Sequence, residues 1–228
     1  MTEHTSKQYD QDLEAIRTRT LQMGGLVESQ IRNAVRGYLE GDAATIDDVI
    51  ANDAKVNDLE LAIDDDLRHV IVRRQPAATD LRLIMAVSKT VTDLERIGDE
   101  AAKIARMAKE IHAAAAKMAR PRLATMTHVA EVSCGMLRKA LDAFARLDAA
   151  AAARVIAEDA AIDTEFRAIL RQLITYMMED PRTISTSLEI VWIAKAIERI
   201  GDHAKNMAEY VIYIVKGTDI RHTDPAKL

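Results

Sequence analysis

Cysteine is almost missing from this chain. Cys134 stands alone, so no disulfide can close within it. That excludes a disulfide-built extracellular scaffold and makes the cytoplasm the expected compartment. Proline and glycine are scarce as well, 4 and 8 in 228 residues. With so little punctuation, strand-and-turn architectures are disfavoured and long helices are expected. No apolar run approaches the roughly 18 residues of a membrane-spanning helix. The opening Met1 to Gln8 is polar and lacks the apolar core of a signal peptide. Positive charge is not in excess either. The formal net charge is −5, with no basic run, so a nucleic-acid partner is not expected. No glycine-rich phosphate loop, nucleophile elbow or Ser/His/Asp set is visible.

What the chain does have is Ala, Leu, Ile, Met, Glu and Arg, arranged in helical period. The spacing predicts a flexible tail over 1–9, then a helix over 10–40 seamed by Leu13, Ile16, Thr20, Met23, Val27, Ala34 and Tyr38. Gly24-Gly25 interrupts this seam without a proline and reads as a weak point or a close contact. Gly41 suits the end of that helix, and Asp42 suits the N-cap of the next. A second helix is predicted over 43–74, ended by Gln75-Pro76 because the residue before proline avoids the α region. A third starts near Thr79 or Asp80, runs to Ala119 and stops before Pro121. Three more follow over 123–147, 149–179 and 183–215. Asp148 is a possible N-cap, Asp180-Pro181 a stop, and Gly217 caps a polar C-terminal tail, 217–228.

The plan is a duplication. Asp42-Ala43-Ala44 recurs as Asp148-Ala149-Ala150, 106 residues later. At that offset Val49, Asp53, Val56 and Asn57 become Val155, Asp159, Ile162 and Asp163. After a three-residue difference near the prolines, Glu95-Arg96-Ile97-Gly98-Asp99 returns as Glu198-Arg199-Ile200-Gly201-Asp202, 103 residues on. A fixed period with matching punctuation marks a repeated unit. The expected fold is all-α: two pseudo-symmetric three-helix bundles over 10–119 and 120–216.

The repeated phrase puts two carboxylates one turn apart, a repulsion of roughly 0.2–0.5 kcal/mol on an exposed helix. Its mid-helix glycine costs about 1 kcal/mol against alanine. On the preceding helix of each half, Asp53 and Asp159 fall on the apolar stripe, with Asn57 and Asp163 one turn later on nearly the same face. Antiparallel neighbours would bring these pairs to Glu95/Asp99 and Glu198/Asp202. Oxygen donors without thiolates suit Mg, Mn or Fe. Glu60 also lies on the stripe but its partner at offset 106 is Phe166, which ranks it below Asp53 and Asn57. His203 adjoins Asp202 and, with Asn206, is a subsidiary candidate. Di-iron bundles add a Glu-x-x-His motif; Asp66-Leu67-Arg68-His69 comes nearest and has no second-half counterpart, so redox chemistry is disfavoured. Arg73, Arg74 and Arg82 near a helix start are a minor candidate anion site. The rival reading is a salt-bridge network among the same acids and their neighbouring Arg and Lys side chains. The residue pattern suits it as well as it suits a metal. Small residues that let helices approach explain Gly98 and Gly201 equally well.

In sequence the chain resembles the PhoU family, bacterial regulators of phosphate uptake and phosphate-starvation signalling. The likeness is carried by Arg74-Gln75-Pro76, Asp80-Leu81-Arg82, Leu94 to Asp99, Ile197 to Asp202, and Val215-Lys216-Gly217 with Arg221-His222. Met23-Gly24-Gly25 and the stretch Thr175 to Asp180 resemble its proteobacterial branch. The resemblance implies metal sites built from paired acids one turn apart, carried here by Glu95/Asp99, Glu198/Asp202 and Asp159/Asp163. Asp53/Asn57 departs from that pattern by one amide, which makes the second half the better expected ligand set. The resemblance further implies a non-enzymatic, cytoplasmic protein, expected as a homodimer. Its implied partners are the ATPase subunit of the phosphate ABC transporter and the membrane sensor histidine kinase, through which alone it would meet the membrane. It would hold the phosphate regulon off when phosphate is plentiful. The alternatives are a structural adaptor without metal and a carboxylate-bridged metal hydrolase acting on phosphate compounds.

Overall fold

The structure is a computed structural model that describes residues 2–76, 78–114 and 124–220. Six α-helices follow in order: α1 Thr2–Glu40, α2 Ala43–Arg74, α3 Ala78–Ala114, α4 Ala124–Arg146, α5 Ala149–Glu179 and α6 Ile184–Lys216. A single 3-10 turn, Pro181–Thr183, leads into α6. The predicted joins hold. Gly41 takes a left-handed φ of 77°. Asp42 accepts a hydrogen bond from Ala44 N, and Asp148 accepts from Ala150 and Ala151 N. Gly217 closes α6 at φ 72°.

Two expectations at the ends change. The stretch 1–9 was expected as a tail, but α1 begins at Thr2. No proline or glycine precedes Asp10, and Tyr9 packs on the core, so nothing breaks the helix early. Beyond Gly217, Ile220 is buried, so the first residues of the expected polar tail return to the protein. The remainder of that tail, Arg221 to Leu228, and the end expected for α3 at Ala119 before Pro121 lie outside the described residues, as does the boundary drawn between 119 and 120. Among the described residues no helix is long and apolar enough to cross a membrane.

Helices α1, α2 and α3 form one bundle and α4, α5 and α6 the other. Both cores are apolar and mostly aliphatic: Val27, Ile31, Val56, Ile63, Ile97 and Ile104 in the first, Met136, Phe144, Val155, Ile162, Ile200 and Val211 in the second, all almost fully buried. The bundles join along α3 and α6, which run antiparallel. Lys89 lies over the Tyr210 ring at 5.6 Å and Lys103 over the Trp192 ring at 5.4 Å. Between them Arg199 Nη1 is 2.9 Å from Glu100 Oε1. Helices α1 and α4 meet as well, where Arg138 Nη2 donates to Glu28 Oε1 at 2.6 Å. Gly24 resolves as a close contact, not a weak point, because a Cβ there would come within 2.5 Å of Leu141.

The repeated glycines make the same contact twice. A Cβ on Gly98 would sit 3.2 Å from Val56 Cγ1, and one on Gly201 2.8 Å from Ile162 Cδ1. Val56 and Ile162 are themselves repeat equivalents, so each glycine seats its helix on the preceding one. An alanine there gains about 1 kcal/mol of helix propensity and loses a similar amount in pushing the aliphatic tip aside. Gly98→Ala is therefore expected to melt within about 1 kcal/mol of the parent, whereas Gly98→Leu should lose about 1–3 kcal/mol to overpacking. Thermal scans of the two variants check the contrast.

Candidate metal centres

In the first half, α2 carries Asp53 and Glu60 towards Glu95 and Asp99 on α3. Burial raises the Asp53 carboxyl above its ordinary range, and the Asp99 charge raises it further. Glu95 is raised by burial, then by Asp99 and Asp53, against an opposing pull from Arg96. Glu60 is raised by burial, then by Glu95 and Asp64. These are the signatures of partly desolvated carboxylates crowding one another. Arg96 lies 3.6 Å from Glu95 Oε2 and 4.0 Å from Asp99 Oδ2 and is largely exposed, while Arg106 opposes the rise at Asp53. The Asp53 Oδ1 atom is buried without a hydrogen-bond partner.

Two sequence expectations shift here. Asn57 is exposed on α2, away from the buried side of the helix. Glu60, which the repeat ranked lower, takes its place in the group. The reason is rotation: α2 presents Asp53 and Glu60, seven residues apart, along one stripe with Val56 and Ile63, and Asn57 falls off its edge.

In the second half, Asp159, Asp163, Glu198 and Asp202 also converge. Asp202 is pushed up to about 6, by burial first and then by Glu198 and Asp159, with Asp163 adding to them. Here lysines have arrived. Lys205 Nζ donates to Asp159 Oδ2 at 2.6 Å. Lys195 Nζ donates to Glu198 Oε1 at 2.5 Å and lies 5.4 Å from the Phe166 ring centre. Asp159 and Glu198 are each only 8% exposed. Burial alone would lower the Lys205 ammonium; the Asp159 hydrogen bond and charge outweigh it and raise it. The amide at Asn57 made the first half the poorer ligand set, but the lysines hydrogen-bonded to Asp159 and Glu198 point the other way.

His203 and Asn206 do not join the acids of their own half. His203 Nδ1 lies 2.6 Å from Asp93 Oδ1, and Asn206 Nδ2 donates to the same atom at 3.3 Å. Both face α3 across the bundle junction, where His203 also draws on Glu95 of the first half. Being next to Asp202 in sequence is about 100° away around a helix. Two of the arginines suggested as an anion site have other partners: Arg74 pairs with Asp12 at 3.2 Å, and Arg82 donates to Thr79 at 3.0 Å.

The donors fit a hard cation in kind, being all oxygen, and the crowding and the orphaned Asp53 Oδ1 are what a bound cation would relieve. Among the described residues, no three His, Cys, Asp or Glu side chains stand arranged to hold an ion as they are. Binding therefore requires carboxylates to turn in from their present rotamers.

The chain is 48% identical over 223 residues to the phosphate-specific transport system accessory protein PhoU homolog of Pseudomonas putida, covering 97% of this chain and 86% of the relative. It is 44% identical to the phosphate-specific transport system accessory protein PhoU of Escherichia coli (strain K12), covering 97% and 91%. The crystal structure of PhoU from Pseudomonas aeruginosa superposes with a TM-score of 0.88 at 46% identity, covering 92% of this chain and 100% of that one. A phosphate transport system regulatory protein PhoU from Streptococcus pneumoniae, at 24% identity and TM-score 0.82 over 92% and 98%, shares the fold. The PhoU domain itself matches twice, over residues 20–108 and 126–211, once in each bundle, and the chain belongs to the PhoU family.

Proposed function

We propose that this protein is a non-enzymatic accessory regulator of phosphate uptake whose two acidic faces bind metal ions. The observation that carries the reading is likeness along the whole chain, 44–48% over 97% of it, to proteins named as accessory to the phosphate-specific transport system. Those relatives are named as accessory proteins and not as enzymes. In the finer reading the protein works in the cytoplasm as a homodimer. It bridges the ATPase subunit of the phosphate ABC transporter and the membrane sensor histidine kinase, and so keeps the phosphate regulon off. In the first half Asp53, Glu60, Glu95 and Asp99 would hold the ion, with Asn57 able to add a neutral oxygen. In the second half Asp159, Asp163, Glu198 and Asp202 would hold it. Mg, Mn or Fe would supply the positive charge these faces lack and fix the spacing of α2 with α3 and of α5 with α6.

A structural adaptor without metal is the second reading. It is favoured by the two lysine pairs, which already compensate Asp159 and Glu198. One experiment separates them. Elemental analysis of gently purified protein should find Mn, Fe or Mg. Pull-down of the transporter ATPase and the kinase should weaken when a chelator strips the ion. Metal-free protein that captures both partners undiminished would sink the metal reading and leave the adaptor.

A further inference from the structure

The two halves are not equivalent receivers of charge. Lys195 and Lys205 have no counterparts in the first half: at the 103-residue offset their places are Thr92 and Ala102. Thr92 is exposed and spends its hydroxyl on Ser88 O at 3.2 Å, while Ala102 is fully buried. Phe166, over which Lys195 lies, stands where the first half has Glu60. So the second half has a ring where the first has an acid, and two hydrogen-bonded ammonium groups where the first has Thr92 and Ala102. The first half's further cation, Arg106, acts on Asp53 through space only. Arg199, the equivalent of Arg96, is drawn off to Glu100 across the junction at 2.9 Å.

We propose that Lys195 and Lys205 are built-in cations of the second half, so that metal fills the first half at lower concentration than the second. This rests on the metal-binding reading above. The argument is one of exchange. A metal entering the first half displaces a loosely placed Arg96, 3.6–4.0 Å from its acids and bound to none by a hydrogen bond. It also meets Arg106, which acts on Asp53 through space while Asp53 Oδ1 stays without a hydrogen bond. A metal entering the second half must first break two ammonium hydrogen bonds, at 2.6 and 2.5 Å, to carboxylates that are 8% exposed. Charge-assisted bonds to buried carboxylates are the costly ones to give up. The lysines keep the second half compact without metal and make its filling a concentration-dependent step.

The test is Mn(II) titration of the chelator-stripped full chain, with calorimetry for heat and electron paramagnetic resonance for free ion. Two classes of site are expected, separated by about tenfold or more, the scale of one charge-assisted hydrogen bond. The double variant Glu95→Gln, Asp99→Asn should delete the tighter class. In that background Lys195→Met with Lys205→Met should tighten the remaining class by about tenfold, and the metal-free melting temperature should fall and recover on adding Mn(II). Should the lysine variants fail to fold, Thr92→Lys gives the converse: it should weaken the tighter class while the other is untouched. A tight class that survives Glu95→Gln, Asp99→Asn, or a weak class unmoved by losing the lysines, overturns the proposal and leaves metal binding standing. Parent protein that takes up no Mn(II) overturns both.

Discussion

Replacing Asp202 by asparagine is expected to make the metal-free protein more stable at pH 7. The carboxyl is displaced from its ordinary 3.8 to about 6 because burial and three neighbouring carboxylates oppose its charge. At neutral pH the folded state thus carries an ionised group it would rather hold protonated. An asparagine keeps the shape and removes the charge. The gain should be on the order of 1–2 kcal/mol, below the full free energy of the displacement because water screens a half-buried group. The sign fixes the pH profile. Between about 3.8 and 6 the folded state binds more protons than the unfolded chain, so stability falls as pH rises through that window. The penalty is complete above the folded pKa and absent below the unfolded one. The variant's advantage should therefore be full at pH 7 and vanish near pH 4. Burial and neighbouring acids raise Asp53, Glu60 and Glu95 too, which gives the first half a slope of the same sign. Denaturant midpoints of both proteins across this range check it. A variant less stable than its parent at pH 7 would mean that Lys195 already compensates Asp202.

Metal should have the larger effect. Binding to the folded state alone stabilises by about 2.7 kcal/mol per site at 100 times the dissociation constant. For a chain of this size that is about 5–10 °C in melting temperature. Stripped protein given Mn(II) at pH 7 should show the rise, and a chelator should reverse it. The fourfold variant Glu95→Gln, Asp99→Asn, Glu198→Gln, Asp202→Asn should show no rise. Protons and metal compete for the same oxygens, so the parent's response should shrink as pH falls towards 5. Stripped and loaded protein melting at one temperature would remove the link between metal and helix spacing.

Much of this was legible because a helix is a local object. Apolar periodicity located all six helices, and the caps at Asp42, Asp148 and Gly217 follow from backbone chemistry that involves only near neighbours. Short connections between antiparallel helices even supplied the pairing of α2 with α3 and α5 with α6. What was lost needed the angle at which helices cross. Whether Asn57 or Glu60 turns towards α3 depends on how Val56 seats against Gly98, and no period along α2 reports that. The direction of His203 was lost for the same reason: α3 decides it, through Asp93. The lysines could have been found. Lys195 and Lys205 break the repeat beside its acidic phrase, a signal visible by setting Thr92 and Ala102 against them. Their acceptors could not, since Asp159 lies 46 residues from Lys205.

The antiparallel junction of α3 and α6 also decides which halves can mate. At the 103-residue offset Asp93 corresponds to Ala196 and Glu100 to His203. Two first halves docked in this way would set Asp93 against Glu100, acids that are 7% and 6% exposed. Two second halves would turn His203 towards an alanine. An unlike pair alone satisfies Asp93 with His203 and Glu100 with Arg199. Duplication has thus yielded a self-discriminating joint. Exchange of halves between two copies of the chain would rebuild it, whereas homotypic assembly of halves would not.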